Sequence, residues 1–244
     1  MTEPSNPVIQ INELEFTWKA NSPPVLSIAD FSVLEGERLF LRGPSGSGKT
    51  TLLSVVAAVL PPQSGTAKVN GVQLRDLKGG QKDQFRVDHI GLVFQQFNLL
   101  PFLSVIENVV LPCKFSKRRR NNIRQRGSSP KDEAHRLLHA MRLPTNLTNQ
   151  SVTELSVGQQ QRVAVARALI GQPELIIADE PTSALDTDTR QAFLDLLFAE
   201  VKAANSTLLF VSHDVDLSSR FDRVVDLEHI NQATRSRDDT QVMS

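Results

Sequence analysis

The 244-residue chain has no tyrosine, one tryptophan, one cysteine and three methionines, and its 27 Lys and Arg residues balance 27 Asp and Glu residues for zero formal net charge at pH 7. Each scarcity excludes something. The lone Cys113 cannot close an intramolecular disulfide, which fits a reducing compartment and leaves its thiol as a small apolar packing group rather than a nucleophile. The balanced charge removes any global pull towards nucleic acid or a membrane surface, so contacts of that kind must be local. Without tyrosine, an aromatic platform for a ligand must come from Trp18 or a phenylalanine. Apolar runs long enough to cross a bilayer, roughly 18 residues, are missing: Leu52–Leu60 is too short, and Phe97–Pro112 is broken by Pro101, Glu107 and Asn108. Met1–Pro7 lacks the basic start and apolar stretch of a signal peptide, so none is expected. A hydrophobic fraction of 40% is ample for a packed interior, which excludes a disordered chain.

The order of elements is informative. Val8–Trp18 and Val25–Leu34 alternate as strands, Arg38–Leu41 is a short apolar strand, and Ala67–Leu74 with Asn70-Gly71 reads as a hairpin, giving an antiparallel β region around the first half of the core. Thr51–Leu60 reads as a helix and Ile90–Gln96 as another strand. From Phe97 to about Ile170 the periodicity becomes helical, with Leu137, Leu138, Met141 and Leu143 as one apolar face and Gln159–Leu169 as a further helix, which predicts a helical subdomain inserted in the core. Leu175–Ala178 and Thr207–Val211 are continuous apolar runs suited to strands buried on both faces of a parallel sheet, with Gln191–Ala204 as the crossover helix.

Four strings carry chemistry. Gly43-Pro44-Ser45-Gly46-Ser47-Gly48-Lys49-Thr50 fits G-x-x-x-x-G-K-[ST]: its glycines let backbone N–H groups close around phosphate oxygens, Lys49 supplies a point charge and Thr50 a hydroxyl for Mg²⁺. The helix starting near Thr51 adds the positive end of its dipole to the same anion site. In Leu155-Ser156-Val157-Gly158-Gln159, Ser156 is an N-cap candidate at the start of a helix that also carries Arg162 and Arg167. The run Leu175–Pro181 ends a buried strand with Asp179 and Glu180, where strand ends meet ligand in open α/β sheets. Ser212-His213-Asp214 follows the last apolar strand.

Over residues from about 8 to 228 these strings resemble the nucleotide-binding subunits of ABC transporters. Ile90–Pro101 (IGLVFQQFNLLP) and Leu155–Leu169 (LSVGQQQRVAVARAL) are most similar to the bacterial group serving lipoprotein release and macrolide export. The resemblance implies an α/β fold, a P-loop NTPase core of ABC ATPase type with an antiparallel β subdomain and an inserted α-helical subdomain. It implies one ABC ATPase domain over 1–228, with core at about 8–96 and 171–228 and helical subdomain at about 97–170, followed by a polar, mobile tail at 229–244. ATP and Mg²⁺ are the implied cofactors. Asp179 would organise the Mg²⁺ shell with Thr50 and Gln95, Glu180 would act as general base or water-orienting group, and His213 would sense the γ-phosphate as a neutral imidazole. Gln95 matches the Q-loop, and Asp186 falls in the D-loop beside the partner's site. Trp18 fits the adenine-stacking position, with Phe16 as competitor. Two copies are expected head to tail, so that Ser156, Gly158 and Gln159 of one contact the ATP held by Gly43–Thr51 of the other. Val157 departs from the usual glycine, and a β-branched residue narrows the backbone conformations open there.

Implied partners are a second copy and integral membrane permease subunits, with membrane contact only indirect, no nucleic acid, and a peripheral place on the cytoplasmic side of the bacterial inner membrane. The run Lys117-Arg118-Arg119-Arg120, continued by Arg124 and Arg126, reads as a solvated loop. Anionic head groups are its other use, while the lack of interleaved aromatics argues against nucleic acid. The alternative function is a soluble ABC-type ATPase acting on nucleic acid, ribosomes or iron–sulfur assembly, against which stands the absence of a long coiled-coil insertion or second cassette.

Overall fold

The computed structural model describes residues 6–20, 22–183, 185 and 187–233. In chain order the elements are β1 (Pro7–Phe16), β2 (Leu26–Leu34), β3 (Arg38–Arg42), α1 (Lys49–Val56), β4 (Thr66–Val69), β5 (Val72–Gln73), α2 (Gly80–His89), β6 (Ile90–Val93), α3 (Val105–Phe115), α4 (Lys117–Gln125), α5 (Pro130–Ala140), α6 (Val157–Leu169), β7 (Leu175–Asp179), α7 (Thr187–Ala203), β8 (Thr207–Val211), β9 (Arg223–Asp226) and α8 (Leu227–Ile230). They fall into two compact units, Met1–Asp83 with Leu209–Ser244, and Gln84–Leu208.

In the first unit an antiparallel sheet runs in the order β2-β1-β4-β5. Its hairpin turns at Asn70 and Gly71, whose φ angles of 50° and 73° are the positive pair that a two-residue turn needs to match strand twist. Beside it β3 lies between β8 and β9, parallel to β9 with Leu41 opposite Val225. Phe40, Phe210 and Phe221 pack ring against ring at 5.0 to 6.0 Å, an aromatic core directly behind the loop that β3 feeds.

In the second unit β6 and β7 pair in parallel, Gly91 opposite Ile176. Helix α6 presses so close to β6 that a Cβ on Gly91 would stand 2.4 Å from the Ala168 carbonyl oxygen, which makes glycine obligatory there. Helices α3 and α5 start on serine caps, Ser104 in a reciprocal capping box with Glu107 and Ser129 ahead of Pro130 at the first helical turn. Cys113 on α3 is buried, and burial pushes its thiol up to about 11.

The strands and helices anticipated from the pattern are present, with differences at their ends. Helix α1 stops at Val56 instead of Leu60, because Ala58 turns into a left-handed conformation (φ 55°) and Pro61-Pro62 can supply no amide to prolong the ladder. Strand β6 ends at Val93, three residues early, as the exposed Phe94, Gln95 and Gln96 leave the sheet. Leu143 lies beyond α5, and the crossover helix α7 begins at Thr187.

Two corrections are larger. The basic run is a helix, α4, not a loop: Ser116 caps it by accepting from Arg119 N–H, and Arg119 and Ile123, one turn apart, are its buried anchors. The fully buried Arg119 guanidinium forms no salt bridge among the described residues and is satisfied by carbonyls, Nε donating to Val87 (2.6 Å), Nη1 to Ala168 (3.1 Å) and Ile170 (2.7 Å), and Nη2 to Ile90 (2.7 Å). Burial holds its pKa down to about 10, still far above neutrality. The tail is not loose from His229 onwards either: α8 runs to Ile230, and Asn231 and Ala233 are buried. Residues 234–244 lie outside the described residues.

Candidate nucleotide-binding site

In the first unit, β3 delivers the chain into the 43–48 loop and α1 begins at Lys49. Gly48, at the helix start, has φ 99° and would place a Cβ 2.9 Å from the Leu26 side chain and 3.1 Å from the Val25 carbonyl, so conformation and space both require glycine. The Lys49 ammonium folds back over the loop, donating to the Gly43 carbonyl and to that of Pro44 at 2.9 Å. Thr50 is exposed, Thr51 is buried, and the buried Ser47 hydroxyl has no hydrogen-bond partner among the described residues.

An open cleft of about 390 Å³ lies over this loop, lined by Trp18, Val25, Ser45, Gly46, Gly48, Lys49, Thr50 and Thr51. Trp18 is 61% exposed and meets the buried Phe16 edge to face at 5.1 Å. Phe16 is thus the support and Trp18 the ring that faces the cleft. Such a cleft, with a lysine and a glycine-rich turn at one end and an aromatic face at the other, fits a phosphorylated ligand bearing a flat ring. A hydroxyl beside the phosphate loop and few carboxylates are the donors Mg²⁺ takes when phosphate oxygens complete its shell, so the residues also fit that ion.

Two residues that the sequence reading missed hold this cleft from behind. Gln63 fixes the end of β1 before Trp18, accepting from Thr17 N–H and donating to the Thr17 carbonyl, both at 2.7 Å. Asn231 donates to the carbonyls of Ser47 (3.0 Å) and Val25 (2.9 Å) and accepts from Ser27 N–H (2.8 Å), tying the phosphate loop to the β2 side of the cleft. In this unit too, Ser212 N–H donates to the Leu41 carbonyl at 3.3 Å, so the exposed His213 leaves β8 alongside the end of β3.

The second unit carries the other candidates. Gln95 is exposed in the turn after β6. That turn closes on Phe97 and Asn98 in left-handed conformations (φ 58° and 48°), with both carbonyls accepting from Arg167 of α6. Burial lowers the pKa of Arg167. Asp179 ends β7, and Glu180 follows in a left-handed conformation at φ 48°, unusual for a residue with a Cβ and a sign of a constrained turn. Ser183 N–H and hydroxyl both donate to the Glu180 carbonyl, and Gln161 of α6, fully buried, donates to the carbonyl of Pro181. Gln161 is a third residue that pattern reading passed over. Ser156 caps α6 in a capping box with Gln159, Ser156 Oγ accepting from Gln159 N–H at 3.3 Å and Gln159 Oε1 accepting from Ser156 N–H at 2.9 Å. Val157 is the first residue of that helix, half exposed and in helical conformation, so its β-branch meets no backbone demand for glycine. Gly158 is also helical and open enough for a Cβ, whose nearest neighbour would be Leu185 at 3.8 Å. Asp186 lies outside the described residues.

A glycine-rich loop between a parallel strand and a helix, with its lysine over the loop carbonyls, defines a P-loop nucleotide-binding protein. Comparison with known proteins narrows the class. The family description "ABC transporter" matches residues 26–183. The chain is 36% identical over 220 residues to the ABC transporter ATP-binding protein YvrO of Bacillus subtilis, covering 89% of this chain and 92% of that one. It is 33% identical over 228 residues to the probable export ATP-binding/permease protein MacB of Pseudomonas entomophila, covering 93% of this chain but 33% of that longer protein. Among solved structures, the dimeric post-hydrolysis state of the ATP-binding cassette MJ0796 bound to ADP and Pi superposes with a TM-score of 0.78 at 31% identity, covering 92% of this chain and 95% of that one. The chain belongs to the ABC transporter family, as an ATP-binding subunit.

Proposed function

We propose that this subunit binds ATP in the Trp18–Thr51 cleft and hydrolyses it between two copies of itself, driving transport or mechanical work by separate membrane-spanning permease subunits. The observation that carries the reading is the cleft itself, which sets an exposed indole against a phosphate loop with Lys49 in place. Relatives named as ABC transporter ATP-binding proteins and as export ATP-binding/permease proteins support the transport reading over an ATPase of nucleic acid, ribosomes or iron–sulfur assembly. The dimeric ADP-bound relative supports the pairing and the hydrolysis.

In this reading Lys49 and the amides of Gly46–Thr51 bind the β- and γ-phosphates, while Trp18 stacks on the base without reading its edges. Thr50 and Asp179, with Gln95, would hold Mg²⁺, which would supply charge neutralisation at the phosphate oxygens. Glu180 accepts a proton from the attacking water or orients it, and the strained turn that fixes its backbone limits where its carboxylate can reach. His213 donates to the γ-phosphate from the end of β8. Ser156, Gly158 and Gln159 of the second copy close over the γ-phosphate, and Asp186 of the segment after β7 lies beside that copy's site. The polypeptide then takes a peripheral place at the cytoplasmic face of the membrane. It meets the permease through the helical part of the chain, and the domain runs as one ABC ATPase unit over 1–228.

Glu180→Gln tests the assignment. It should retain ATP binding, slow phosphate release by orders of magnitude and accumulate an ATP-bound dimer by light scattering. Unchanged turnover would remove Glu180 from its role, and solitary subunits at saturating ATP with the permease supplied would refute the shared site.

A further inference from the structure

Helix α4 has a composition unlike the rest of this neutral chain: five of its nine residues are Lys or Arg and none is acidic. Arg119 is spent inside the fold, but Lys117, Arg118 and Arg124 are exposed and Arg120 is partly so. Arg118 pairs with Glu174. Lys117, Arg120 and Arg124 form no salt bridge among the described residues, nor does the exposed Lys114 just before the helix. At helical spacing Lys117, Asn121 and Arg124 follow one line along the outer side, with Arg120 at its margin and Arg118 on its other flank. Two residues before α4, Phe115 at the end of α3 stands 65% exposed. A basic helix face with one bare aromatic just ahead of it in the chain has the two parts by which a protein rests on a charged bilayer surface, cations for the head groups and a ring for the boundary below them.

Within the second unit, α4 packs at the strand ends away from Gln95, Asp179 and Glu180. Arg119 donates to the carbonyl of Ile90, the first residue of β6, and Arg118 pairs with Glu174, just ahead of β7. Those strands run away from α4 towards Gln95 and towards Asp179 and Glu180. A surface resting on α4 therefore sits at the opposite strand ends from the hydrolytic residues, a separation of about 13–17 Å at roughly 3.3 Å per strand residue. The buried Arg119, held by four carbonyls from α2, β6 and the end of α6, makes the helix a fixed part of that unit.

We propose that the outer face of α4, with Lys114 and Phe115, docks on the surface of a bilayer rich in anionic lipid, adding a direct membrane contact to the indirect one made through a permease. A single aromatic, rather than a row of them, favours a lipid surface over single-stranded nucleic acid, which needs repeated stacking platforms. Each cation near an anionic surface strengthens binding by roughly fivefold. Reversing two charges removes two attractions and adds two repulsions, and should weaken binding by more than about twentyfold.

The test is flotation of the full chain with vesicles of phosphatidylcholine alone and of phosphatidylcholine mixed with phosphatidylglycerol, without any permease. Wild type should float with the mixed vesicles, release as salt rises, and ignore the neutral ones. The variant Lys117→Glu with Arg124→Glu should lose flotation while its ATPase rate and melting temperature stay at wild-type values. Phe115→Ser should weaken binding less and leave its salt dependence intact. Equal flotation of wild type and the charge-reversed variant would overturn the proposal. So would equal binding to neutral vesicles, or tighter binding to a single-stranded oligonucleotide than to the mixed vesicles. Failure of nucleotide binding in the cleft would leave these results untouched, so the two readings fall separately.

Discussion

Asn231 offers the sharpest test of how the cleft is held. Its side chain is fully buried and makes three hydrogen bonds to main-chain groups 184 to 206 residues away in sequence, two of which belong to Ser47 in the phosphate loop and Val25 across the cleft. Asn231→Leu preserves approximate volume but strips the two donors and the acceptor, taking their Asn231 partner from two carbonyls, Val25 and Ser47, and from two N–H groups, Ser27 and the nearby Ala233. An unmade buried hydrogen bond costs about 1–3 kcal/mol, and because Val25 and Ser27 are only half-buried, the total for the four bonds should sit near the lower end for each, about 4 kcal/mol. Part of that is lost global stability, read from the urea midpoint. The remainder should appear as slack between the loop and β2, weakening ATP binding by about tenfold, equivalent to about 1.4 kcal/mol, with the saturated rate within about twofold because the hydrolytic groups are untouched. Trp18, the only tryptophan, lines the cleft and reports occupancy by its fluorescence, so affinity and unfolding are measured on the same sample. A variant that is destabilised yet binds ATP with the wild-type Kd would refute the reasoning, since it would show that Asn231 supports the fold without setting the cleft.

Three further outcomes follow from the geometry. Trp18→Ala should raise the KM for ATP while leaving kcat nearly unchanged, and Phe16→Leu should act mainly on stability; the reverse pattern would exchange their roles. Gln161→Leu removes the donor to the Pro181 carbonyl and should lower kcat several-fold with ATP affinity retained, whereas a change in KM alone would separate Gln161 from the Glu180 turn. The Arg38 guanidinium, bonded to Asp222, holds that carboxyl below its usual range, so the pair's contribution is present above the ordinary carboxylate pKa and is lost as pH falls through the depressed one. Both side chains are partly exposed, so Asp222→Asn should cost under about 1 kcal/mol at neutral pH, with the difference from wild type vanishing in acid; a cost that grows on acidification would contradict the sign.

Much of the site was legible because its chemistry is local. Strand, glycine turn and helix lie consecutively in Arg38–Val56, and the serine cap of α6 lies three residues from its reciprocal glutamine, so spacing alone exposes both. Features built across the chain were not. Asn231 and Gln63 matter only through partners distant in sequence, and nothing in an Asn or Gln announces which carbonyl it will meet. Helix α4 escaped pattern reading for a different reason: its inward residues are Ile123 and an arginine, so the apolar stripe that marks an amphipathic helix is nearly absent. The shortened α1 ends two residues before Ala58 takes a positive φ, and the turn that follows β6 closes on Phe97 and Asn98 at positive φ, a backbone choice that those side chains do not require and that only the packed structure imposes.

The buried Cys113 has a consequence for control of the enzyme. With no second cysteine in the chain and a thiol that stays protonated at neutral pH, oxidants find little thiolate to attack and no thiol in the same chain to bridge, so disulfide switching has no handle within one copy of this subunit. Any disulfide-based switching must therefore draw its second thiol from whatever the subunit is joined to.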